Sequence, residues 1–362
     1  MNGKVLVDSD EFCSCLKQDL QSARDCIYLQ TMSYEGDKAG KMVSGLLLSS
    51  GARDKRVIVD NFTKFKLSDR FLYFPKNLLD PELRLEVRET RHMFEDLQKG
   101  DVRVKFVNPF FGPLLVKFVA RNHKKLIVID DRVSYLGGIN FSDHNFLWHD
   151  MMIRIEGPEL AQFLKNDFLS TWGGQNQRKI GRFPGIDIHL LDGFSNQSDF
   201  QPILELIRRA EKSVWVISPY PTLPFFAGFK KLRQKGVAVT LITPQKNNKG
   251  IIGEYIRWES LRSGIDLKLY CPGMSHLKAM LIDDKFLLAG SANFDYLSYA
   301  RQQEIVAVIT DESLIASFKQ KVLGFDLTNS IDVSSSASSW KGNLVNLIIK
   351  SLGRGVVLAS RL

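Results

Sequence analysis

The stretch RNHKKLIVID, residues 121–130, places a histidine and two lysines at the start of an apolar run, and SHLKAMLIDD, residues 275–284, repeats the arrangement. Apolar runs of this length that end at charged turn residues are typical of buried β-strands. Side chains two positions apart lie on the same face of a strand, so His123 and Lys125 share one face, as do their counterparts in the second stretch. The doubled stretch indicates two similar units, each with an imidazole and an ammonium group at one strand end.

The segments before each stretch repeat as well. Residues 10–60 contain a helix-like segment, an apolar strand, a second helix and a strand, and residues 198–244 show the same order. The strands are short and rich in β-branched residues, while the helices carry apolar residues at spacings of three and four. The sequence therefore predicts a duplicated α/β/α sandwich, with two pseudo-twofold-related halves and mixed, mostly parallel sheets.

Composition sets the expected boundaries of the two halves. Residues 173–187 are polar and Gly-rich, as linkers are, and separate a first domain at 1–175 from a second at 188–328. Residues 329–362 form a third region, in which a Ser-rich connector precedes a predicted basic amphipathic helix. Such a helix suits a membrane interface, or packing against the core or a partner.

Polar residues follow each stretch at matched distances. Fifteen residues after each motif lysine comes an asparagine, Asn140 or Asn293, beside glycines that allow close backbone approach. An acid follows 27 or 28 residues after each motif histidine, namely Asp150 and Glu304. We expect the asparagines to hold phosphate oxygens, and the acids to accept the second N–H of the imidazoles and so orient them.

Three other charged residues point away from the histidine face. Asp130 and Asp283 have the opposite parity and precede a turn, so each is expected to secure the turn or the lysine region rather than to touch substrate. Lys124 also alternates away from His123, and we expect it to be a flanking surface charge.

Two sets of imidazole, ammonium and carboxamide groups suit a phosphodiester if they meet in one cleft. The lysines and asparagines would neutralise and hold the non-bridging oxygens, while one histidine attacks phosphorus and the other protonates the leaving alkoxide. This chemistry runs through a phosphohistidine and needs no metal or other cofactor. The sequence shows no carboxylate cluster typical of a magnesium or calcium site.

The pattern HxK(x4)D(x6)G(G/S)xN, present twice, resembles the HKD motifs of the phospholipase D superfamily. The duplicated layout and the IEGPEL segment at 155–160 are most similar to bacterial-type cardiolipin synthases and related phosphatidyltransferases. The resemblance implies one active site at the domain interface and a ping-pong mechanism, with the first histidine as nucleophile and the second as acid and then base. The implied catalytic residues are His123, Lys125, Asp130, His276, Lys278 and Asp283.

The two motifs differ at one position. Gly138 of the first motif stands where Ser291 stands in the second. The Ser291 hydroxyl is therefore a predicted additional donor to the phosphate, one that the first motif lacks.

Composition narrows the class of partner. The chain has 362 residues with a net charge of +9 and a pI near 9.2, which suits an anionic membrane surface or nucleic acid. Four cysteines without a CxxC pair predict reduced thiols in a reducing compartment. The start of the sequence lacks a signal-peptide pattern, and no apolar run is long enough to span a bilayer. We expect a cytoplasmic location, peripheral on the inner face of the membrane.

Two apolar stretches favour a lipid substrate over nucleic acid. Residues 108–120 and 220–226 suit contact with acyl chains or membrane, or else simple packing in the core. The predicted function is a membrane-peripheral phosphatidyltransferase of the cardiolipin synthase type, acting on a phosphatidylglycerol-like phospholipid. The alternatives are a phospholipase D hydrolase that gives phosphatidic acid, a metal-independent nuclease on DNA or RNA, and a non-enzymatic lipid-binding protein. The oligomeric state is left open.

Overall fold

The protein is represented by a computed structural model that describes residues 2–109, 119–194 and 196–333, together with residues 347 and 351. The chain divides into two compact units, Met1–Gln177 and Arg178–Leu362. We call them unit 1 and unit 2.

The strands and helices of unit 1 alternate along the chain. Its strands are β1 Asn2–Val7, β2 Cys26–Thr31, β3 Asp54–Asp60, β4 Lys66–Leu67, β5 Arg70–Phe71, β6 Val102–Val107, β7 Leu126–Ile129, β8 Val133–Gly137 and β9 Met151–Glu156. Its helices are α1 Asp8–Ser22, α2 Lys38–Ser49, α3 Pro75–Leu78, α4 Pro81–Lys99, α5 Asp143–Phe146 and α6 Pro158–Trp172, with a short 3-10 helix at Asn61–Lys64. Seven strands form one sheet in the order β1-β9-β8-β7-β2-β3-β6.

Successive residues of β2 face two different helix layers. Ile27 and Leu29 belong to a buried cluster that includes Leu16 of α1. Tyr28, between them, stacks on Phe168 of α6 with ring centroids 4.9 Å apart. Because alternate side chains of a strand point to opposite faces, the sheet is covered on both sides. The predicted α/β/α sandwich is confirmed.

Unit 2 has the same alternation. Its strands are β10 Lys179–Phe183, β11 Ile186–Asp192, β12 Ser213–Ile217, β13 Ala238–Pro244, β14 Asp266–Tyr270, β15 Ala279–Ile282, β16 Phe286–Gly290, β17 Gln303–Ile309 and β18 Ser330–Asp332. Its helices are α7 Asn196–Asp199, α8 Gln201–Arg208, α9 Phe225–Gln234, α10 Gly250–Arg262, α11 Tyr296–Ala300, α12 Glu312–Phe318 and α13 Gly324–Thr328, with a π-helical turn at Lys319–Leu323.

The two sheets share one strand order. The order β11-β17-β16-β15-β12-β13-β14 of unit 2 corresponds strand for strand to that of unit 1, and unit 2 adds β10 and β18 at its edges. The predicted duplication is therefore confirmed. Each motif histidine precedes the central strand of its sheet, β7 or β15.

The prediction of mostly parallel sheets is wrong. Among the described strands, only the pairings β2–β3, β3–β6, β12–β13 and β13–β14 are parallel. The strands after the motifs are antiparallel because the turns at 130–132 and 283–285 are too short for a crossover, and they close hairpins instead.

The predicted domain boundaries need two corrections. The division between the units lies within residues 173–187, but Lys179–Phe183 is not a linker and pairs with β11. Ser330–Asp332 pairs with β14, so the sheet of unit 2 continues past residue 328. Edge strands are half exposed and polar, which is why both segments resembled linkers. The predicted amphipathic helix lies outside the described residues.

Candidate active site

Each motif histidine lies just before a hairpin strand, and its lysine folds back against it. His123 and His276 are each 6% exposed. Lys125 Nζ donates to the His123 carbonyl oxygen at 2.8 Å. Lys278 Nζ donates to the His276 carbonyl oxygen and lies 2.8 Å from the Nδ1 atom of the same ring. Each unit therefore holds a buried ammonium group against the main chain of its motif histidine, and in unit 2 that group also contacts the imidazole ring. A fixed ammonium group at this position can attract an anionic phosphoryl group.

The apolar stretch 220–226 supports this arrangement from inside the core. Tyr220 packs edge-on against the His276 ring with centroids 6.0 Å apart, and Tyr220, Phe225 and Phe226 are buried. These aromatic side chains are therefore packed in the core, and contact of the stretch with acyl chains or membrane stays a prediction. Residues 110–118 of the companion stretch 108–120 lie outside the described residues.

The two motif asparagines are buried near the ends of the strands that follow the histidines. Asn140 Oδ1 accepts weakly from Ser33 N–H and Thr31 Oγ1, both at 3.4 Å, and its Nδ2 donates to Asn145 at 3.3 Å. Asn293 Oδ1 has no hydrogen-bond partner among the described residues. Contact of either carboxamide with phosphate stays a prediction.

Asp150 and Glu304 lie against the turns that end β8 and β16. A Cβ atom at Gly138 would lie 2.2 Å from Asp150 Oδ1, so glycine is what leaves room for that carboxylate. In unit 2, Ser291 fills the equivalent position and donates its hydroxyl proton to Glu304. Glu304 also accepts from Ser298 Oγ at 2.7 Å. The predicted orientation of the histidines by these acids stays a prediction.

The Ser291 hydroxyl has partners within unit 2. A hydroxyl group has a single proton, and that of Ser291 goes to Glu304 while its oxygen accepts from Ile305 N–H at 3.0 Å. The hydroxyl proton is thus engaged by Glu304 in this structure, and contact of Ser291 with phosphate stays a prediction. Gly138 and Ser291 represent two ways of accommodating a carboxylate beside the same turn.

The motif aspartates hold the backbone together at the strand end opposite the histidines. Asp130 accepts from the N–H groups of three successive residues, Arg24, Asp25 and Cys26, at 2.8 to 3.0 Å. Asp283 does the same with Glu211, Lys212 and Ser213 at 2.8 to 2.9 Å. Each carboxylate fastens the hairpin turn to the start of the neighbouring strand.

Lys124 is buried, contrary to the prediction of a surface charge. Its Nζ lies 2.7 and 2.8 Å from the two carboxylate oxygens of Asp167 on α6, and both side chains are fully buried. The predicted parity is right, since Lys124 does point away from His123. The error is that α6 covers this face of the sheet. In unit 2 the same position is Leu277, also fully buried.

A buried polar framework next to His123 was missed by the sequence analysis. Asp60, at the end of β3, accepts from Asn122 N–H at 2.7 Å and lies 3.2 Å from Arg121 Nε. Burial raises the pKa of Asp60 to about 6, although the Arg121 charge opposes this. The sequence did contain a signal for this pair. Asp60 ends an apolar strand and Arg121 precedes another, and charged residues at such buried positions usually pair with one another.

A cluster of acids in unit 1 was also not predicted. Glu35, Asp37 and Glu86 place carboxylate oxygens within 4.8 Å of one another. Burial raises the pKa of Glu35 to about 9 and that of Asp37 to about 6. Ser68 connects two of them, its N–H donating to Glu35 at 3.1 Å and its hydroxyl to Glu86. A carboxyl with the pKa of Glu35 is protonated at neutral pH, which relieves the repulsion among the three groups.

Comparison with known proteins identifies the family. The sequence model of the family described as "Cardiolipin synthase, PLD-like domain" matches residues 16–172 and 203–323. The chain therefore belongs to this phospholipase D-like family, and the resemblance noted in its two motifs is confirmed.

Curated relatives match along most of the chain. Cardiolipin synthase 1 of Bacillus anthracis is 25% identical over an alignment of 350 residues that covers 88% of this chain and 65% of the relative. Cardiolipin synthase A of Pseudomonas entomophila (strain L48) is 26% identical over an alignment of 359 residues that covers 92% of this chain and 70% of the relative. The chain thus spans about two thirds of the length of these relatives.

A solved structure supports the fold. The phosphatidylserine synthase of Haemophilus influenzae Rd KW20 superposes with a TM-score of 0.72 at 16% identity, covering 99% of this chain and 94% of its own. At that identity the likeness concerns the fold alone. Among the described residues, no helix combines the length and apolarity needed to cross a bilayer.

Proposed function

We propose that this chain is a phosphatidyltransferase of the cardiolipin synthase type that works through its two motif histidines. The observation that carries the proposal is the repeated contact of a buried lysine with the histidine two residues before it. A fixed ammonium group beside an imidazole stabilises an anionic phosphoryl group while the imidazole reacts with it. The names of the relatives support a lipid rather than a nucleic acid as substrate.

In the proposed reaction, His123 attacks the phosphorus of a phosphatidylglycerol-like donor. A P–N bond forms, the P–O bond to the headgroup alcohol breaks, and His276 gives its proton to the departing alkoxide. His276 then takes the proton of a second lipid alcohol, whose oxygen attacks phosphorus and releases His123. The motif lysines and the carboxamides of Asn140 and Asn293 hold the non-bridging oxygens.

The acids have positioning roles in this proposal. Asp150 and Glu304 orient the imidazoles, and their placement depends on the residues at Gly138 and Ser291. We place the protein at the cytoplasmic face of the membrane as a peripheral protein, because its substrates are lipids and its net charge of +9 favours an anionic surface.

The test uses the full chain with labelled phosphatidylglycerol vesicles and, separately, labelled single-stranded DNA, both without divalent metal. Formation of cardiolipin and glycerol in equal amounts is the expected result. Phosphatidic acid as the sole lipid product would replace the transferase with a hydrolase. Cleavage of DNA with unchanged lipid would overturn the proposal. His276→Ala protein, purified by the same procedure, serves as the blank for contaminating activity.

A further inference from the structure

An insertion in unit 1 has no equivalent in unit 2. Residues 61–101 connect β3 to β6, whereas the corresponding strands β13 and β14 are connected by residues 245–265. Both connections contain a crossover helix, α4 in unit 1 and α10 in unit 2. The insertion itself is residues 61–80, with the 3-10 helix Asn61–Lys64, the β4–β5 hairpin and the helix α3. The shared sheet does not require this additional structure, since unit 2 forms the same strand order with the shorter connection.

Four large apolar side chains project from this insertion into solvent. Tyr73, Phe74, Leu78 and Leu79 are 63%, 53%, 47% and 75% exposed, and we call them the apolar tip. Single exposed apolar residues are common on protein surfaces, but four within seven residues concentrate exposed apolar area in one short segment, as interaction surfaces do.

A framework beneath the apolar tip fixes its direction. The buried Asn77 donates its Nδ2 to the Phe71 carbonyl oxygen at 2.8 Å. The Phe71 ring packs against Phe74 with centroids 5.4 Å apart. Arg70 bridges to Asp80, the N-cap of α4, at 2.7 Å. The tip is therefore held outward by side-chain contacts, and its apolar groups do not depend on a loose loop for exposure.

The charge around the apolar tip suits an anionic surface. Residues 61–80 contain two acids, Asp69 and Asp80, and four basic residues, giving a net charge of +2. Lys66 pairs with Asp69 and Arg70 with Asp80. The basic residues are Lys64, Lys66, Arg70 and Lys76. Exposed aromatic and leucine side chains in a segment of net positive charge are a pattern by which proteins enter the headgroup region of a bilayer.

The insertion begins at the carboxyl end of β3, on the side of the sheet where His123 lies; we call this side the His123 edge. Asp60, the last residue of β3, accepts from Phe62 N–H inside the insertion and from Asn122 N–H next to His123, both at 2.7 Å. Thr63 Oγ1 donates to the Met32 carbonyl, just past the end of β2, at 3.0 Å. The base of the insertion and the approach to the motif histidine therefore share one carboxylate.

We infer that the apolar tip inserts into the interface of an anionic phospholipid bilayer and so presents the His123 edge of unit 1 to lipid headgroups. The inference rests on the proposed function, because membrane binding would serve to bring the site to its lipid substrate. It goes further by naming the surface that contacts the membrane. Binding and turnover are measured separately, so that failure of one can be told from failure of the other.

The binding experiment compares two matched double variants of the full chain. Phe74→Ser/Leu79→Ser removes one aromatic and one leucine of the tip, and Phe194→Ser/Ile251→Ser removes an equally exposed pair from unit 2, where Phe194 and Ile251 are 71% and 65% exposed. Sedimentation with vesicles of phosphatidylcholine plus phosphatidylglycerol measures affinity. We expect the tip variant to bind at least about tenfold more weakly, and the unit 2 variant to bind as the unaltered chain does.

The turnover experiment uses the same proteins with two substrates. On vesicles, the tip variant should lose kcat/KM in proportion to its lost binding. On short-chain phosphatidylglycerol dissolved below its critical micelle concentration, it should match the unaltered chain, because His123 and His276 are untouched. If the unaltered chain turns over neither substrate, the proposed function fails while the binding comparison still decides the tip.

Two results would overturn the inference. The first is equal vesicle affinity of the tip variant and the unaltered chain, or equal losses in both double variants. The second is a dimer of the unaltered chain that the tip variant converts to a monomer without change in vesicle binding, which would make the tip a protein interface.

Discussion

The residues that lead into β7 and β15 occupy the same place in two sheets of one strand order, yet they are supported differently. In unit 1 the support is ionic: Lys124 pairs with Asp167 and Arg121 lies against Asp60, all buried. In unit 2 the residue corresponding to Lys124 is Leu277, packed in an apolar core.

The difference teaches that this fold does not need buried charge to hold its motif strand. Desolvation of two ions costs about as much as their attraction returns, so the ion pairs of unit 1 contribute little net stability over apolar packing. Once present, however, each partner depends on the other. The predictions below exchange or remove features that one unit has and the other lacks.

The largest expected effect is the loss of turnover when either motif histidine is replaced. His123→Ala and His276→Ala should each reduce turnover of phosphatidylglycerol by at least about a thousandfold, because attack and proton transfer are both lost. With a nitrophenyl phosphodiester, whose leaving group needs no acid, His276→Ala should still release one equivalent of nitrophenol in a burst. His123→Ala should give no burst. A burst of equal size from both variants would contradict the assignment of His123 as nucleophile.

The next effect concerns the buried ion pair. Lys124→Leu gives unit 1 the residue of unit 2 but leaves the Asp167 carboxylate buried alone, and we expect a loss of about 3–5 kcal/mol in the free energy of unfolding. Lys124→Leu/Asp167→Leu should recover most of that loss. Urea denaturation followed by circular dichroism measures both.

Lys165→Leu is the matched control for this prediction. Lys165 lies on the same helix and pairs with Asp131 at 2.6 Å, but both side chains are partly exposed. Its removal should cost about 1 kcal/mol or less. A similar cost for Lys124→Leu and Lys165→Leu would show that burial does not govern these pairs.

Exchange at the turn beside the acids should give an intermediate effect on catalysis. Gly138→Ser adds a side chain where Asp150 lies, so the carboxylate must move, and we expect kcat to fall by about a hundredfold. Ser291→Gly removes one donor to Glu304, which retains Ser298, and should cost about tenfold or less. Steady-state kinetics on vesicles, with thermal melting to verify folding, tests the order. The reverse order would exclude a steric role for Gly138.

The smallest effect is a pH dependence that arises from Glu35 of unit 1. The native pKa of Glu35, about 9, lies above its ordinary value of 4.5, so the native state holds the proton more tightly than the unfolded chain. The free energy of unfolding should therefore fall as pH rises between about 4.5 and 9.

Glu35→Gln removes this titration. The difference in unfolding free energy between the variant and the unaltered chain should grow by roughly 1–3 kcal/mol from pH 6 to pH 8. Urea denaturation at several pH values measures it, with Glu89→Gln as the control because Glu89 is partly exposed and its pKa is lowered by Lys41. Parallel curves for Glu35→Gln and the unaltered chain would contradict the prediction.

Residue parity explains which parts of the site the sequence could predict. Alternation placed His123 with Lys125 and set Asp130 apart from them, because a strand has a period of two whatever surrounds it. Spacing likewise paired Asp150 with Glu304. These features depend on local geometry and on the repeat, both of which are visible in a single sequence.

What could not be predicted depends on distant neighbours. Lys124 looked exposed because its cover, α6, comes more than thirty residues later in the chain. Ser291 looked free because its contact with Glu304 depends on the register between β16 and β17. The strands β10 and β18 resembled linkers because an edge strand buries only part of its residues.

Asp130 and Asp283 each satisfy three main-chain N–H groups. Replacing either aspartate with alanine leaves those N–H groups without an acceptor. The variant would therefore unfold at a lower temperature and be degraded by cellular proteases on warming. A growth screen at one temperature would score it together with the histidine variants. Protein abundance measured beside turnover tells them apart: an aspartate variant leaves fewer molecules, and a histidine variant leaves slower ones.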